Sequence, residues 1–186
     1  PKSPFTDVVA GSWYFDAALY ASSHNLMLGT SPTEFSPNIT MTRGMLVTVL
    51  YRMNGSPSVS GKTPFTDVRT DEWYSAAVLW AYQNGIVTGM SDTTFAPINN
   101  VTREQMATIL FRYTKTAAPD KAKASADLSG FADAGSVNDW AVDAMRWAVG
   151  QKLIAGITLE QSVYLQPRGN ATRAQAATVL TRYYAQ

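Results

Sequence analysis

A chain of 186 residues with 46% hydrophobic and 16% charged side chains is long enough for one or two ordinary soluble domains and a sizeable core. Its 15 basic and 14 acidic residues leave a formal charge of +1, which excludes a strong global field toward nucleic acid or membrane lipid, so ionic recognition has to be local. Cysteine is absent, which removes disulfides and thiolate metal sites and leaves the redox compartment open, and no stretch approaches the ~20 apolar residues of a membrane span.

The chain begins PKSPFTDV, without the basic start and apolar run of a signal peptide, so a leader is either missing or already removed. FTDV at 5–8 returns as FTDV at 65–68 and as FADA at 131–134. Each copy then carries Trp13, Trp73 or Trp140, and seven residues later a second aromatic, Tyr20, Trp80 or Trp147. A glycine follows at Gly29, Gly89 and Gly156, then Pro37, Pro97 and Pro167, then a Thr-Arg pair ending in Arg43, Arg103 and Arg173. Three copies, at 1–56, 57–118 and 119–186, account for the chain.

The first element of each copy reads as a helix: in copy two, Trp73, Ala77, Trp80 and Ala81 fall at i, i+4, i+7 and i+8 on one stripe. The loops GTSPTEFSP and GMSDTTFAP supply a glycine for a left-handed helix end and a proline that ends regular structure. A second helix starts at each Thr-Arg pair. Its stripe is Leu46, Val49, Leu50, Met53 in copy one, Met106, Ile109, Leu110, Tyr113 in copy two, and Ala176, Val179, Leu180, Tyr183 in copy three. Residues 54–64 and 114–130, rich in small, polar, Pro and Gly residues, read as linkers. One helix pair buries little surface alone, so the expectation is an all-α protein in which three helix-loop-helix repeats pack as one pseudo-threefold, cooperative body.

Three residues stand against local electrostatics. Arg43, Arg103 and Arg173 occupy the first turn of their helices, where the backbone already carries about half a positive charge and disfavours a cation by up to ~1 kcal/mol. The repetition suggests an anion, with helix N–H groups and a planar guanidinium as a receptor for carboxylate or phosphate; the alternative is a nearby Asp or Glu. Arg52, Arg112 and Arg182 lie near the helix C-termini, where a cation complements the dipole, and read as structural. Asp7, Asp67 and Asp133 either cap N–H groups or hold an arginine. Trp13, Trp73 and Trp140 belong either to the core or to an exposed edge on which a sugar ring stacks, whereas Trp80 and Trp147 read as core. His24 has no counterpart in the other copies, and no nucleophile-base pair, metal cluster or acid-base carboxylate pair stands out, so no catalytic residue, metal or cofactor is expected.

Taken together, FTDVRTDEWYSAAVLWAYQNGIVTGMSDTTFAPINNVTREQMATIL resembles an S-layer homology repeat, and the whole chain resembles the three-repeat wall-anchoring module of bacterial surface proteins. That resemblance implies a three-pronged helical assembly, non-catalytic, extracellular and monomeric in isolation, that neither binds nucleic acid nor enters a membrane. Its grooves would bind secondary cell-wall polysaccharide through N-acetylmannosamine bearing a pyruvate ketal. The family's groove arginine, in its Thr-Arg-Ala-Glu motif, maps onto Arg43, Arg103 and Arg173, with the Gly-loop and Trp-helix residues around it. The sequence departs from the pattern where copy one reads Thr-Arg-Gly-Met, where copies two and three end the motif in Gln, and where copy three spaces Gly156 nine residues from Leu165. Unequal grooves are therefore expected. The rival reading is a protein-interaction or self-assembly module whose arginines pair with acidic residues of neighbouring subunits.

Overall fold

The structure is a computed structural model that describes residues 2–185. The second helices are the longer ones: α2 (Arg43–Met53), α4 (Arg103–Ala117) and α6 (Arg173–Tyr184). Each starts because Thr42, Thr102 or Thr172 turns its hydroxyl onto the backbone N–H three residues on. In α4 and α6 the side chains of Gln105 and Gln175 reach back to the Thr N–H and close a capping box, which Met45 in α2 cannot do. Their apolar stripes are buried, with Leu46, Leu50, Met106, Leu110, Ala176 and Leu180 all essentially inaccessible.

The first helices, α1 (Phe15–Ser23), α3 (Ser75–Gln83) and α5 (Val142–Gly150), begin later than the sequence pattern implies. Trp13, Trp73 and Trp140 precede them and are 67%, 58% and 54% exposed, so the expected stripe in copy two keeps Ala77, Trp80 and Ala81 and loses Trp73. Trp80 and Trp147 are buried.

The helices of one copy do not form the main packed pair. Instead α3 packs on α2, α5 on α4, and α1 on α6, so each pair is built from two successive copies and the third pair closes the circle. At the centre the backbone closes as well: Met41 N–H donates to Ala171, Ala171 to Val101, and Val101 to Met41, at 2.8, 2.9 and 2.8 Å. All three residues are buried, so breaking the ring would strand donors and acceptors at about 1–3 kcal/mol each. Beyond it Trp80, Tyr113, Tyr183 and Trp147 pack ring to ring, with centroids 5.9–6.4 Å apart. The 114–130 linker is pinned rather than loose: Lys121 accepts from the Trp147 indole at 2.9 Å, and Ala126 accepts from Arg146 Nε at 2.9 Å.

The all-α expectation is corrected by copy three. There β1 (Ile157–Leu159) and β2 (Ser162–Tyr164) form a two-stranded antiparallel sheet, with Ile157 opposite Tyr164 and Thr158 opposite Val163. The longer Gly156-to-Leu165 spacing gives the loop room to double back, and its β-branched and aromatic residues favour the extended backbone. Glu160 takes the left-handed conformation, φ 54°, at the turn. Among the described residues the fold is mixed: a closed ring of six α-helices carrying one hairpin.

Candidate functional site

The three aspartates do cap N–H groups, though in the loops and not at a helix. Asp67 accepts from Phe95 and Ala96 at 2.9 and 2.7 Å, Asp7 from Phe35 and Ser36 at 2.8 and 2.7 Å, and Asp133 from Leu165 and Gln166 at 2.7 and 2.8 Å. These paired bonds hold Ser36, Ala96 and Gln166 in the left-handed region, at φ 55°, 59° and 49°, where a side chain is strained. The loop so fixed offers its carbonyl to the preceding copy. Arg43 Nε donates to Phe95 at 2.9 Å, Arg103 to Leu165 at 2.8 Å, and Arg173 to Phe35 at 2.9 Å. The guanidinium groups of Arg43 and Arg173 also lie over the Phe95 and Phe35 rings, 4.7 and 4.9 Å from the centroids.

All three arginines are buried to 5–6% exposure, and among the described residues the one ion pair is Arg69 with Asp71 on the surface. Neither of the sequence alternatives for their helix-start position holds in full. They do not pair with carboxylates, and the helix N–H groups beside them are already taken. Arg43 N–H donates to Asn99 and Gly44 N–H to Pro97; the second and third copies repeat this through Gly169 and Pro167, and through Ile39 and Pro37. Any anion must therefore meet the arginine side chains and not the helix terminus. Burial lowers the pKa of all three; for Arg43 it falls to about 10, with repulsion from Arg112 adding to burial and Asp67 opposing.

Two grooves open beside these side chains. The first, of about 380 Å³, combines Arg43 of copy one, Gly89 and the face of α4 in copy two, and Trp140 of copy three. The second, of about 500 Å³, combines Arg103 of copy two, Gly156 and the face of α6 in copy three, and Trp13 of copy one. Arg, Gly and Trp of each groove thus come from three different copies. In both, the guanidinium spends Nε on the neighbouring loop, and its outer Nη groups find no acceptor among the described residues. Arg173 differs: its Nη2 donates to the Leu28 carbonyl at 2.6 Å in the loop bearing Gly29. Trp73 is exposed and edge-on to Tyr74, with centroids 5.1 Å apart.

The glycines have a packing reason. Gly89 sits at φ 84°, and a Cβ there would lie 2.5 Å from the Phe65 ring; Gly156, at φ 81°, would meet Phe131 at 2.8 Å. A Cβ on Gly29 would likewise meet Phe5 at 2.7 Å.

The sequence reading missed Arg112 and Arg182, assigned there to helix ends, which line the two grooves. The signal was a second stripe beside the core stripe: Gln105, Thr108, Ile109, Arg112 and Gln175, Thr178, Val179, Arg182, each at i, i+3, i+4 and i+7. Among the described residues no cluster of three metal-ligating side chains occurs, and no helix is long and apolar enough to cross a membrane.

Comparison with known proteins returns one family. The S-layer homology domain matches at residues 4–44, 64–107 and 130–177. Similar relatives include an endoglucanase of Bacillus sp. (strain KSM-635), 34% identical over 96% of this chain and 18% of its own length. An amylopullulanase of Thermoanaerobacterium thermosulfurigenes is 28% identical over 95% of this chain and 9% of its own. The surface-layer 125 kDa protein of Lysinibacillus sphaericus is 32% identical over 83% of this chain and 12% of its own. The chain spans less than a fifth of the length of each.

Proposed function

The chain belongs to the S-layer homology family, whose domains anchor surface proteins to the cell wall at the cell surface, and we propose that it does so by gripping an acidic wall polysaccharide in its inter-repeat grooves. The ligand is a glycan whose sugar carries a carboxylate, in the manner of a pyruvate ketal on N-acetylmannosamine. The role is non-catalytic: the chain matches a small part of each enzyme relative, and anchoring needs no bond to be made or broken.

The observation that supports this reading is the outward edge of Arg43 and of Arg103. Each side chain is almost wholly desolvated and fixed through Nε, yet keeps its Nη donors unspent at a groove. A carboxylate there gains a charge-assisted bond of about 1.5–3 kcal/mol, with most of the desolvation and ordering cost already met on folding. The exposed faces of Trp140 and Trp13 at the same grooves suit the apolar side of a sugar ring.

Titration calorimetry of the whole chain with purified wall polymer, before and after removal of the acidic substituent, tests it. The expected result is tight binding lost with the substituent. Arg43→Ala and Arg103→Ala should each weaken binding by roughly ten- to a hundredfold, and Arg173→Ala by less, because Arg173 is tied at both Nε and Nη2. Equal affinity for both polymers removes the reading. Concentration-dependent self-association without polymer binding would favour the interaction module instead.

A further inference from the structure

Both grooves are lined by two arginines, but the first differs from the second in that its second arginine, Arg112, is not tied down by a backbone carbonyl. Arg43 and Arg112 line it together, and no aspartate or glutamate does. Among the described residues the Arg112 guanidinium reaches only Thr88, from Nη1 to Oγ1 at a long 3.4 Å, so its donors are largely unspent. The one carboxylate that acts on Arg43, Asp67, is already committed to the Phe95 and Ala96 amides. Arg112 is second only to burial in lowering the Arg43 pKa, whereas burial alone accounts for the lowered Arg112 pKa. The second groove lacks this tension. There Arg182 donates to the Leu153 carbonyl at 3.1 Å, and only burial and Asp133 act on Arg103. In the third copy Arg173 spends itself on Phe35 and Leu28.

A lone carboxylate in the first groove would neutralise one guanidinium and leave the other facing water in a confined space. Two negative charges would satisfy both and turn a repulsive pair into a clamp. We propose that the groove formed by Arg43, Gly89, Arg112 and Trp140 takes a dianionic group, carried on a single sugar residue or its substituent. The groove of Arg103 takes a single carboxylate. This rests on the anionic-glycan reading above and specifies the charge of its ligand.

The test is a titration of the whole chain with malonate, inorganic phosphate and pyruvate at constant ionic strength. It is followed by the amide resonances of Thr88 and Gly89 for the first groove and of Ala155 and Gly156 for the second. Malonate and doubly ionised phosphate should occupy the first groove about tenfold more tightly than pyruvate, the effect of one extra partly buried ion pair. The second groove should show no such preference. Arg112→Gln should abolish the preference while pyruvate still binds through Arg43, and Arg112→Lys should restore part of it. Equal affinities of the three anions at Gly89 would overturn the dianion proposal and leave the carboxylate reading standing. No response at either groove to any of them would overturn both.

Discussion

An arginine at a helix start is unfavourable only while the helix is considered alone. In the assembled chain, Arg103 serves as a strut whose Nε binds the Leu165 carbonyl of the next copy while its far edge points to a groove. Helix electrostatics on their own predict that replacing it with a neutral residue is harmless or mildly stabilising. The observed bond reverses the sign. Arg103→Gln loses a charge-assisted hydrogen bond and leaves a buried carbonyl short of a donor, so the ligand-free protein should lose about 1–3 kcal/mol. For a chain of this size that is a fall in Tm of at least about 2 °C. Arg103→Lys keeps the charge but cannot hold the carbonyl and present a fork to the groove at once, so it should weaken glycan binding by about 1–3 kcal/mol. A thermal melt beside a binding titration checks both; an Arg103→Gln melt at or above that of the parent chain contradicts the strut. The partner could not be read from the sequence, because a carbonyl belongs to every residue and leaves no mark in the residue pattern. The aspartates were legible as caps by their residue type, yet the amides they cap lie 28 to 33 residues further on.

Among the elements, the second helices were the most legible, since their Thr cap and 3.6-residue stripe are both local. The hairpin was not, because only a longer spacing and a few β-branched residues hinted at it. Hardest to read was how each helix start engages the next copy. In copy one Gly44 lies against Tyr74, with a Cβ there 3.4 Å from the ring and 2.9 Å from the Pro97 carbonyl. Copy three has Ala141 where copy two has Tyr74, and the matching residue of α4 is Glu104. Glu104 is 2% exposed, and its two carboxylate oxygens accept from the Asn138 N–H at 3.0 Å and the Asn138 amide at 2.5 Å. A carboxylate thus replaces aromatic packing as the support for the segment that carries Trp140. Glu104→Ala should destabilise the chain by about 1–3 kcal/mol and speed amide exchange at Asn138. It should also weaken ligand binding at the Arg43 groove more than at the Arg103 groove. Unchanged exchange at Asn138 would show that Glu104 does not hold this segment.

At the scale of the whole molecule, the copies are units of sequence more than units of packing. Each helix pair joins two copies, each groove joins three, and the ring of Met41, Val101 and Ala171 closes only when all are present. The boundaries at 1–56, 57–118 and 119–186 therefore mark repeats that we expect to fold together. A fragment ending at Ala118 would strip α6 from α1, exposing Ala18 and Ala21, and α5 from α4, exposing the Phe111 ring that now packs on Trp147. It would also take Leu165 from Arg103, and from the ring the carbonyl that Met41 bonds and the N–H that Val101 accepts. Each loss costs on the order of 1–3 kcal/mol, and together they approach the 5–15 kcal/mol by which a domain is normally stable. The fragment should accordingly aggregate or melt without a cooperative transition, and should not bind the acidic glycan even though Arg43, Gly89 and Arg112 are all present in it. The first groove also needs Trp140 and a fixed α4, both of which come from or lean on copy three. Calorimetric melting of the fragment beside the whole chain decides the matter, and a sharp, reversible transition near that of the whole chain would mean that the first two copies fold by themselves and that the closed ring is not what holds them.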